Sequence, residues 1–361
     1  MEIDDFVHDA PAVRVVFGNG RIRTLAAEVE RHGSRRVLLV GGGHASGFVD
    51  RAAADLGDKV VGRFAHVVLN VPDEVAREAT RVAIESRAQI IVAIGGGSTI
   101  GTAKAISHEL GLCIIAVPTT YSGSELTAVW GITRHGHGIT GLDPLVRPVS
   151  VIYDPELTLD LPTGMSVNSA MSAMAHLVEG LYAPQVGPLT ALTAEEGVRA
   201  LVSSLPRVAV EPRDLSARAE ALHGASFGGW TLATTGMGVH HKICQALTGT
   251  LGLPHAETHS AVLPHVTAFN AEVVPAAMER LLRAFAAAGR PISDPATGLW
   301  DLAHEIGANT SLRALGLPQS ELDGVAAQVV AAQPVNPRPI DFASVRAIIA
   351  QAYAGARPCE P

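Results

Sequence analysis

The segment AQIIVAIGGGSTIGTAKAIS, residues 88–107, decides the fold of this chain. Its first half is a run of Ile, Val and Ala that is typical of a buried strand, and its second half has the composition of a helix. The two halves are joined by three glycines and a serine, which are Gly95, Gly96, Gly97 and Ser98. A strand, a glycine turn and a helix in this order predict one βα unit of a parallel sheet.

The same alternation continues on both sides of this segment. Strands are predicted in AVRVVFG (12–18), RRVLLVGGG (35–43), HVVLNV (66–71) and LCIIAVPTT (112–120), with helical stretches between them. After Pro162 the sequence changes to long Ala- and Leu-rich amphipathic stretches. A chain of 361 residues suits two domains. We therefore predict an α/β domain with a parallel, NAD(P)-binding sheet over residues 1–160, and an all-α substrate and catalytic domain over residues 161–361.

Composition narrows the classes of partner and location. The formal net charge is −8 and there is no run of basic residues, which argues against nucleic acid or an anionic membrane as the main partner. No stretch approaches the roughly 20 apolar residues that span a bilayer. Three widely spaced cysteines, Cys113, Cys244 and Cys359, indicate no disulfide framework, and the acidic start MEIDDFVHDA is not a signal peptide. The sequence predicts a cytoplasmic protein.

A second glycine triplet, Gly41–Gly43, ends the strand predicted in RRVLLVGGG. Ligands of parallel sheets sit at the carboxyl ends of strands, where glycine lets the backbone approach a pyrophosphate and a helix N-terminus stabilises its charge. The alternative is a pair of ordinary tight turns. We predict that NADH or NADPH binds here, through residues of both turns and of the PTTYSGSE segment: Gly41, Gly42, Gly95, Gly96, Gly97, Ser98, Thr119, Thr120 and Ser122. No acidic residue ends the RVLLV strand, so discrimination between the two nucleotides should be weak.

Histidines concentrate in GMGVHHKICQALTGTLGLPHAETH, residues 236–259. A further histidine, His176, lies in a predicted helix four residues after Ser172, so both side chains are expected on one helix face. A carboxylate at position 172 would favour a divalent metal, whereas a hydroxyl is a poor ligand. We therefore predict that no divalent metal is required. If one binds, its ligands are His176, His241 and His255.

The alternative for each histidine is an ordinary core or surface role, but their grouping beside a glycine-rich turn favours function. With pKa values naturally near neutrality, imidazoles can donate hydrogen bonds and protons. Lys242, in the same stretch, is either a solvated surface charge or a ligand for a substrate carboxylate.

Motifs along nearly the whole chain resemble the iron-containing alcohol dehydrogenase superfamily and, within it, the maleylacetate reductases. They are VVFGNG, AIGGGSTIGTAKAIS, PTTYSGSELTAVWGIT, VIYDPELTLDLP, SAMAHLVEGLYAP, GMGVHHKICQALTGTLGLPHAETHSAVLPH and NPRP. The parent alcohol dehydrogenases carry Asp where Ser172 stands and an acidic residue where Gly101 stands. The resemblance implies the fold shared by these dehydrogenases and dehydroquinate synthase, with a cleft between the domains, and a homodimer.

The resemblance also implies reduction of maleylacetate, a small anionic substrate, to 3-oxoadipate in the degradation of aromatic compounds, in a branch regarded as independent of iron. Hydride would reach the double bond conjugated with the ketone, and charge on the enol oxygen would be met by prepared donors. We expect His241 as principal donor, supported by His176, His255 and His240. Substrate contacts are expected from Lys242, Tyr121 and Arg338.

Several positions depart from that branch. HGHGITGLDP, residues 135–144, stands where a basic loop is usual, and Ser172 and Gln245 replace an Asn and a His. His135 and His137 could compensate for the missing basic residues only when protonated. These departures keep two other functions open. One is a metal-dependent alcohol or aldehyde oxidoreductase of the same superfamily, and the other is a non-redox lyase or cyclase of a biosynthetic pathway.

Overall fold

The computed structural model describes Ala10 and residues 12–358. The stretch MEIDDFVHD and Cys359 lie outside the described residues, so the predictions made on them have no structural counterpart. The chain divides into two compact units, of which one ends at Leu161 and the other begins at Pro162. The cysteines Cys113 and Cys244 are both free thiols.

A six-stranded, all-parallel sheet forms the centre of the first unit, in the order β1-β8-β5-β4-β2-β3. Two further strands, β6 and β7, form a separate antiparallel hairpin. The strands are β1 (Arg14–Phe17), β2 (Val37–Val40), β3 (Val60–Phe64), β4 (Ile90–Gly95), β5 (Cys113–Pro118), β6 (Val129–Arg134), β7 (His137–Leu142) and β8 (Ser150–Tyr153).

Helices cover both faces of this sheet, which explains why its central strands are apolar on both sides. Every residue of β2, β4 and β8 is buried. The helices of this unit are α1 (Leu25–Arg31), α2 (Ser46–Leu56), α3 (Asp73–Glu85) and α4 (Gly97–Leu110). Helices α1 and α2 pack on one face, and α3 and α4 pack on the other. The predicted parallel α/β architecture is confirmed.

The connections that follow the neighbouring strands β2 and β4 lead towards opposite edges of the sheet. Strand β2 leads through α2 to β3 at one edge of the sheet, whereas β4 leads through α4 towards β5 and the opposite edge. Because α2 and α4 also lie on opposite faces, the carboxyl ends of β2 and β4 form a topological switch point, where open α/β sheets bind ligands.

Two local features differ from the sequence prediction. The strand predicted at residues 66–71 is wrong: the strand is β3, and the predicted residues form an irregular connection in which Asn70 and Val71 have positive φ. The segment 135–144 is largely strand β7 of the hairpin, with His135 in its turn at φ 52°.

The second unit is helical over its described residues. Its helices are α5 (Thr163–Gly180), α6 (Pro188–Val210), α7 (Leu215–Thr235), α8 (Val239–Leu251), α9 (His255–Asn270), α10 (Pro275–Ala287), α11 (Pro295–Glu305), α12 (Leu322–Ala331) and α13 (Phe342–Ala354). Helix α5 packs against α6, α7 and α9 and is almost entirely buried from Ser166 onward. In the part of the chain that is described, every helix is too short or too polar to cross a membrane.

Candidate active site

The glycine turn after β4 can exist only without side chains at two of its positions. Gly95 has a φ of 156°, and a Cβ there would lie 2.3 Å from Thr99 Oγ1. A Cβ on Gly96 would lie 2.9 Å from the Thr120 side chain. Helix α4 begins at Gly97, so the first N–H groups of a 14-residue helix, which have no partner within the helix, face the carboxyl end of β4. This arrangement suits an anion such as a pyrophosphate.

The turn after β2 meets the end of β4 at the switch point. Gly41 has a φ of 157°, and a Cβ there would lie 2.4 Å from the carbonyl oxygen of Ile94. A Cβ on Gly42 would lie 2.3 Å from the carbonyl oxygen of Ala65, beyond the end of β3. The two predicted glycine turns therefore lie side by side. At Gly41 and Gly42, close contact with neighbouring backbone already excludes a side chain before any ligand is considered.

The loop after β5 packs against the turn after β4. The Thr119 N–H donates to the carbonyl oxygen of Gly95 at 3.1 Å, and Ser122 lies next to Gly97. Tyr121 differs from its neighbours because it is fully buried and its hydroxyl donates to Thr158 Oγ1 at 3.4 Å. That Tyr121 contacts substrate stays a prediction, and in this structure no part of the side chain is accessible.

Five imidazoles come together in the helical unit. Helix α5 contributes His176, α8 contributes two adjacent histidines, and the first two turns of α9 contribute two more. The ring of His259 lies at the centre, between 4.6 and 5.9 Å from the centroids of the other four. The members of this imidazole cluster are His176, His240, His241, His255 and His259. His259 was missed by the sequence analysis, although its spacing of four from His255 placed both on one face of a helix.

A carboxylate, also missed, organises the cluster. Glu179 lies one helical turn after His176 on α5 and is 3% exposed. It accepts hydrogen bonds from the backbone N–H groups of Gly238 (2.8 Å) and His240 (2.7 Å), at the start of α8, and from His241 Nδ1. A negative charge at a helix N-terminus is favourable. Burial acts to raise the pKa of Glu179, but its interactions, with His241 foremost, outweigh burial and hold it below its ordinary value.

Glu179, His241 and His176 form one chain of hydrogen bonds. Because the carboxylate accepts from Nδ1 of His241, the other ring nitrogen of His241, Nε2, faces His176 Nδ1 at 2.7 Å. Both nitrogens of His241 are thus engaged within the protein, and the residue is 4% exposed. That His241 is the principal donor to substrate stays a prediction, because these contacts describe the chain without a ligand. Within the protein, His241 links Glu179 to His176.

His240 lies behind this chain. It is fully buried, its Nε2 is hydrogen-bonded to His259 Nδ1 at 2.8 Å, and Cys244 Sγ lies 3.7 Å from the same nitrogen. Burial, reinforced by His241, lowers the pKa of His240 to about 3. The His240 imidazole is therefore neutral near pH 7, and its catalytic role stays a prediction.

The cluster opens to the surface at His255. This residue is exposed at the first position of α9, and its ring contacts His259 with centroids 4.6 Å apart. On α8, Lys242 is half-buried and its Nζ donates to Gln245 Oε1 at 3.1 Å. A neutral partner leaves the charge of Lys242 uncompensated by this contact.

The structure does not bring Arg338 to the cluster. Its guanidinium donates to the carbonyl oxygen of Phe269 at 2.9 Å, lies over the Phe269 ring and pairs with Glu272. Phe269 is fourteen residues after His255 on the same helix, which is about 21 Å at 1.5 Å per residue. That Arg338 contacts substrate stays a prediction.

The histidines predicted as metal ligands are arranged as hydrogen-bond partners. Two nitrogens bound to one ion at about 2.1 Å each lie roughly 3.0–3.4 Å apart. His176 Nδ1 and His241 Nε2 are 2.7 Å apart, and the neighbouring position on α5 carries the hydroxyl of Ser172. This pair of nitrogens is closer together than two ligands of one ion would be, and Ser172 adds no charged ligand. Among the described residues, His240, Cys244 and His259 offer ligand atoms within 4.8 Å of one another, but these too are bonded to each other.

A glycine-lined switch point in one unit and an imidazole cluster in the other define a nucleotide-dependent oxidoreductase. Two family models match the chain: iron-containing alcohol dehydrogenase over residues 11–155, and the C-terminal region of the Fe-containing alcohol dehydrogenase family over residues 166–353. The chain belongs to the iron-containing alcohol dehydrogenase family, as the sequence motifs predict. Because this family is described by its iron, the comparison does not support the prediction that no metal is required.

Individual relatives narrow the resemblance. The chain is 45% identical to a maleylacetate reductase of Sphingobium indicum, over 98% of this chain and 99% of the relative. Among solved structures, maleylacetate reductase from Rhizobium sp. has a TM-score of 0.92 at 40% identity, and covers 99% of this chain and 100% of that one. A protein described as a putative alcohol dehydrogenase from Ralstonia eutropha has a TM-score of 0.95 at 47% identity, with the same coverage. The predicted resemblance to the maleylacetate reductase branch is confirmed.

Proposed function

We propose that this protein reduces maleylacetate, or a closely related unsaturated oxo acid, to 3-oxoadipate with NADH or NADPH. The observation that carries the proposal is the imidazole cluster with Ser172 on α5, in a chain that is similar over its whole length to maleylacetate reductases. Such a reaction would belong to the degradation of aromatic compounds. Because it consumes NADH or NADPH, we propose that the protein works in the cytoplasm.

The nucleotide is proposed to bind at the switch point. Its pyrophosphate would lie over Gly95–Gly97 at the start of α4, where free N–H groups and the helix dipole stabilise negative charge. The loop of Thr119, Thr120 and Ser122 packs on that turn and offers hydroxyl groups beside it. Gly41 and Gly42 carry no carboxylate, so both nucleotides are expected to bind.

In the proposed reaction, hydride from the nicotinamide adds to the alkene carbon that is β to the ketone. The electron pair of the C=C bond shifts to form an enolate, whose charge lies largely on the oxygen, and the enolate takes a proton from solvent at its α carbon. A prepared hydrogen-bond donor near that oxygen lowers the barrier because charge develops there. We assign this contact to His255, since it is the exposed member of the cluster.

The remaining cluster residues are proposed to prepare this contact. Glu179 fixes the ring of His241, and His241 fixes the ring of His176, so that the hydrogen-bond network is already oriented before substrate arrives. Rings that do not reorient during the reaction impose no reorganisation cost at the transition state. Lys242 is proposed to bind a substrate carboxylate, and the exposed His135 and His137 stand in the hairpin where the related enzymes are expected to carry basic residues.

We propose further that turnover needs no metal. The hydrogen bond between His176 and His241 engages one nitrogen of each ring, and Ser172 supplies no negative charge. The proposal also includes a homodimer, which rests on the family resemblance and is checked by the mass of the protein in solution.

The decisive experiment follows oxidation of NADH and NADPH on addition of maleylacetate. We expect oxidation of both nucleotides with one 3-oxoadipate formed for each nucleotide consumed. A protein that oxidises neither nucleotide with maleylacetate, but reduces NAD⁺ with a simple alcohol after addition of Fe²⁺, would instead be the metal-dependent dehydrogenase. Product formation without net nucleotide consumption would indicate a lyase or cyclase.

A further inference from the structure

A buried lysine lies beneath the loop that follows β5. Lys104, on α4, is 1% exposed, and its Nζ donates to the carbonyl oxygens of Ser124 (2.7 Å) and Val129 (2.8 Å) and to Thr127 Oγ1 (2.9 Å). The three donors of the ammonium therefore have three acceptors. Two of the acceptors are backbone groups at the two ends of one short segment, so the side chain joins both ends of that segment to α4.

A buried carboxylate holds the same segment from the other side. Glu125 is 1% exposed, accepts from the Tyr153 hydroxyl of β8 at 2.8 Å, and accepts from Ser122 Oγ at 3.4 Å. Burial raises the pKa of Glu125. Burial lowers the pKa of Lys104 to about 7. The Glu125 carboxylate opposes this effect, and Arg147 adds a smaller lowering of the pKa.

Burying an amine and a carboxyl group is costly, whereas apolar side chains of similar length would fill the same space without that cost. The burial of Lys104 and Glu125 despite this cost is explained if the protein's function needs a loop held in a fixed position. Immediately before the clamped segment, the loop of residues 119–122 packs closely on the turn after β4: the Thr120 side chain would lie 2.9 Å from a Cβ on Gly96. A loop that shifted by an ångström would close or open the space above that turn.

We propose that Lys104 is a positioning residue for the nicotinamide nucleotide. By holding Ser124 and Val129, it keeps the 119–122 loop in place against the glycine turn, without itself touching the nucleotide. This inference rests on the proposed nucleotide site. It requires that the loss of Lys104 weakens nucleotide binding while leaving hydride transfer in the saturated enzyme intact.

The test measures NADH affinity by fluorescence in the absence of substrate, and kcat at saturating NADH, for the full chain. For Lys104→Met we expect a dissociation constant raised about 10-fold or more, with kcat within about threefold of the wild type. Lys104→Gln keeps two donors and should give an intermediate affinity. The matched control is Lys59→Met, which removes a surface lysine paired with Glu30 and should change neither quantity.

Unchanged NADH affinity in folded Lys104→Met overturns the inference, and so does a loss of kcat with affinity retained. If Lys104→Met does not fold, Thr127→Val decides the question, because it removes one acceptor with little change in volume. It should weaken NADH binding severalfold, and wild-type affinity in this variant would also overturn the inference. Failure of the wild type to bind either nucleotide would instead refute the proposed nucleotide site.

Discussion

The two sites of this molecule are made from different parts of the chain. At the switch point of the sheet, the site consists of backbone: strand ends, N–H groups and glycines whose missing side chains leave space. In the helical unit, the site consists of side chains: five imidazoles and Glu179, held by three helices. A backbone site tolerates no added atoms, whereas a side-chain site tolerates no lost functional group. Each therefore fails in a way that the other does not.

The largest expected effect is on the side-chain site. His241→Ala removes the middle of the hydrogen-bond chain and leaves Glu179 without its imidazole partner. Loss of a prepared donor network should lower kcat by roughly 10³-fold. NADH affinity should stay within twofold of the wild type, because the nucleotide is proposed to bind in the other unit. Steady-state kinetics and NADH fluorescence check this. His304→Ala, at an exposed position of α11, is the control and should behave like the wild type.

The converse effect is expected at the backbone site. Gly41→Ala places a Cβ 2.4 Å from the carbonyl oxygen of Ile94 at a φ of 157°. Strain and overpacking together should cost on the order of 3 kcal/mol of folding stability. Because relief of the clash must displace the turn, NADH affinity should also fall, by roughly 100-fold. Gly47→Ala is the matched control, because a Cβ there meets no atom within 4 Å. Equal NADH affinities for the two variants would show that the turn after β2 is not part of the nucleotide site.

A smaller effect should come from the carboxylate alone. Glu179→Gln keeps the shape but places an amide against three donors, so His241 loses its charged acceptor. A hydrogen bond to a charged group contributes about 1.5–3 kcal/mol, which corresponds to a fall in kcat of roughly 10- to 100-fold. Glu305→Gln, an exposed residue paired with Arg290, controls for charge. A kcat equal to that of the wild type would remove Glu179 from the chain.

The smallest expected effect concerns the substrate contact. Lys242→Ala should raise KM for maleylacetate about 10-fold and leave kcat within twofold, because a carboxylate contact made equally in substrate and transition state changes binding alone. If KM for maleylacetate does not change, Lys242 does not bind the substrate and its hydrogen bond to Gln245 is an ordinary surface contact. A fall in kcat without a change in KM would place Lys242 in the chemistry instead.

The sequence predicted the backbone site better than the side-chain site. Strand β4, the glycine turn and α4 are adjacent in the chain, so hydrophobic runs and glycines reveal them together. Strand β3 was misplaced because HVVLNV has the stronger β pattern, whereas the true strand contains Gly62 and Arg63. At this place, pairing with β2 decided which residues form the strand, and the local β propensity did not.

The side-chain site depends on contacts between residues far apart in sequence. The spacing of Glu179 from His176 placed both on one face of α5, but nothing local shows that this carboxylate meets the start of α8, about sixty residues later. Nothing local shows the position of Arg338 either: its guanidinium donates to the carbonyl oxygen of Phe269, near the end of α9. The sequence pattern shows which residue types lie on one face of a helix, whereas tertiary packing decides which helix faces come into contact.

The central claim is that His176 and His241 bond to each other rather than to an ion. The direct measurement is turnover of maleylacetate by wild-type protein that has been stripped with a chelator and shown metal-free by elemental analysis. The account predicts a kcat within twofold of the untreated protein, with no gain on adding Fe²⁺ or Zn²⁺. Activity that disappears on stripping and returns with one equivalent of metal, but does not return in His176→Ala, would contradict it.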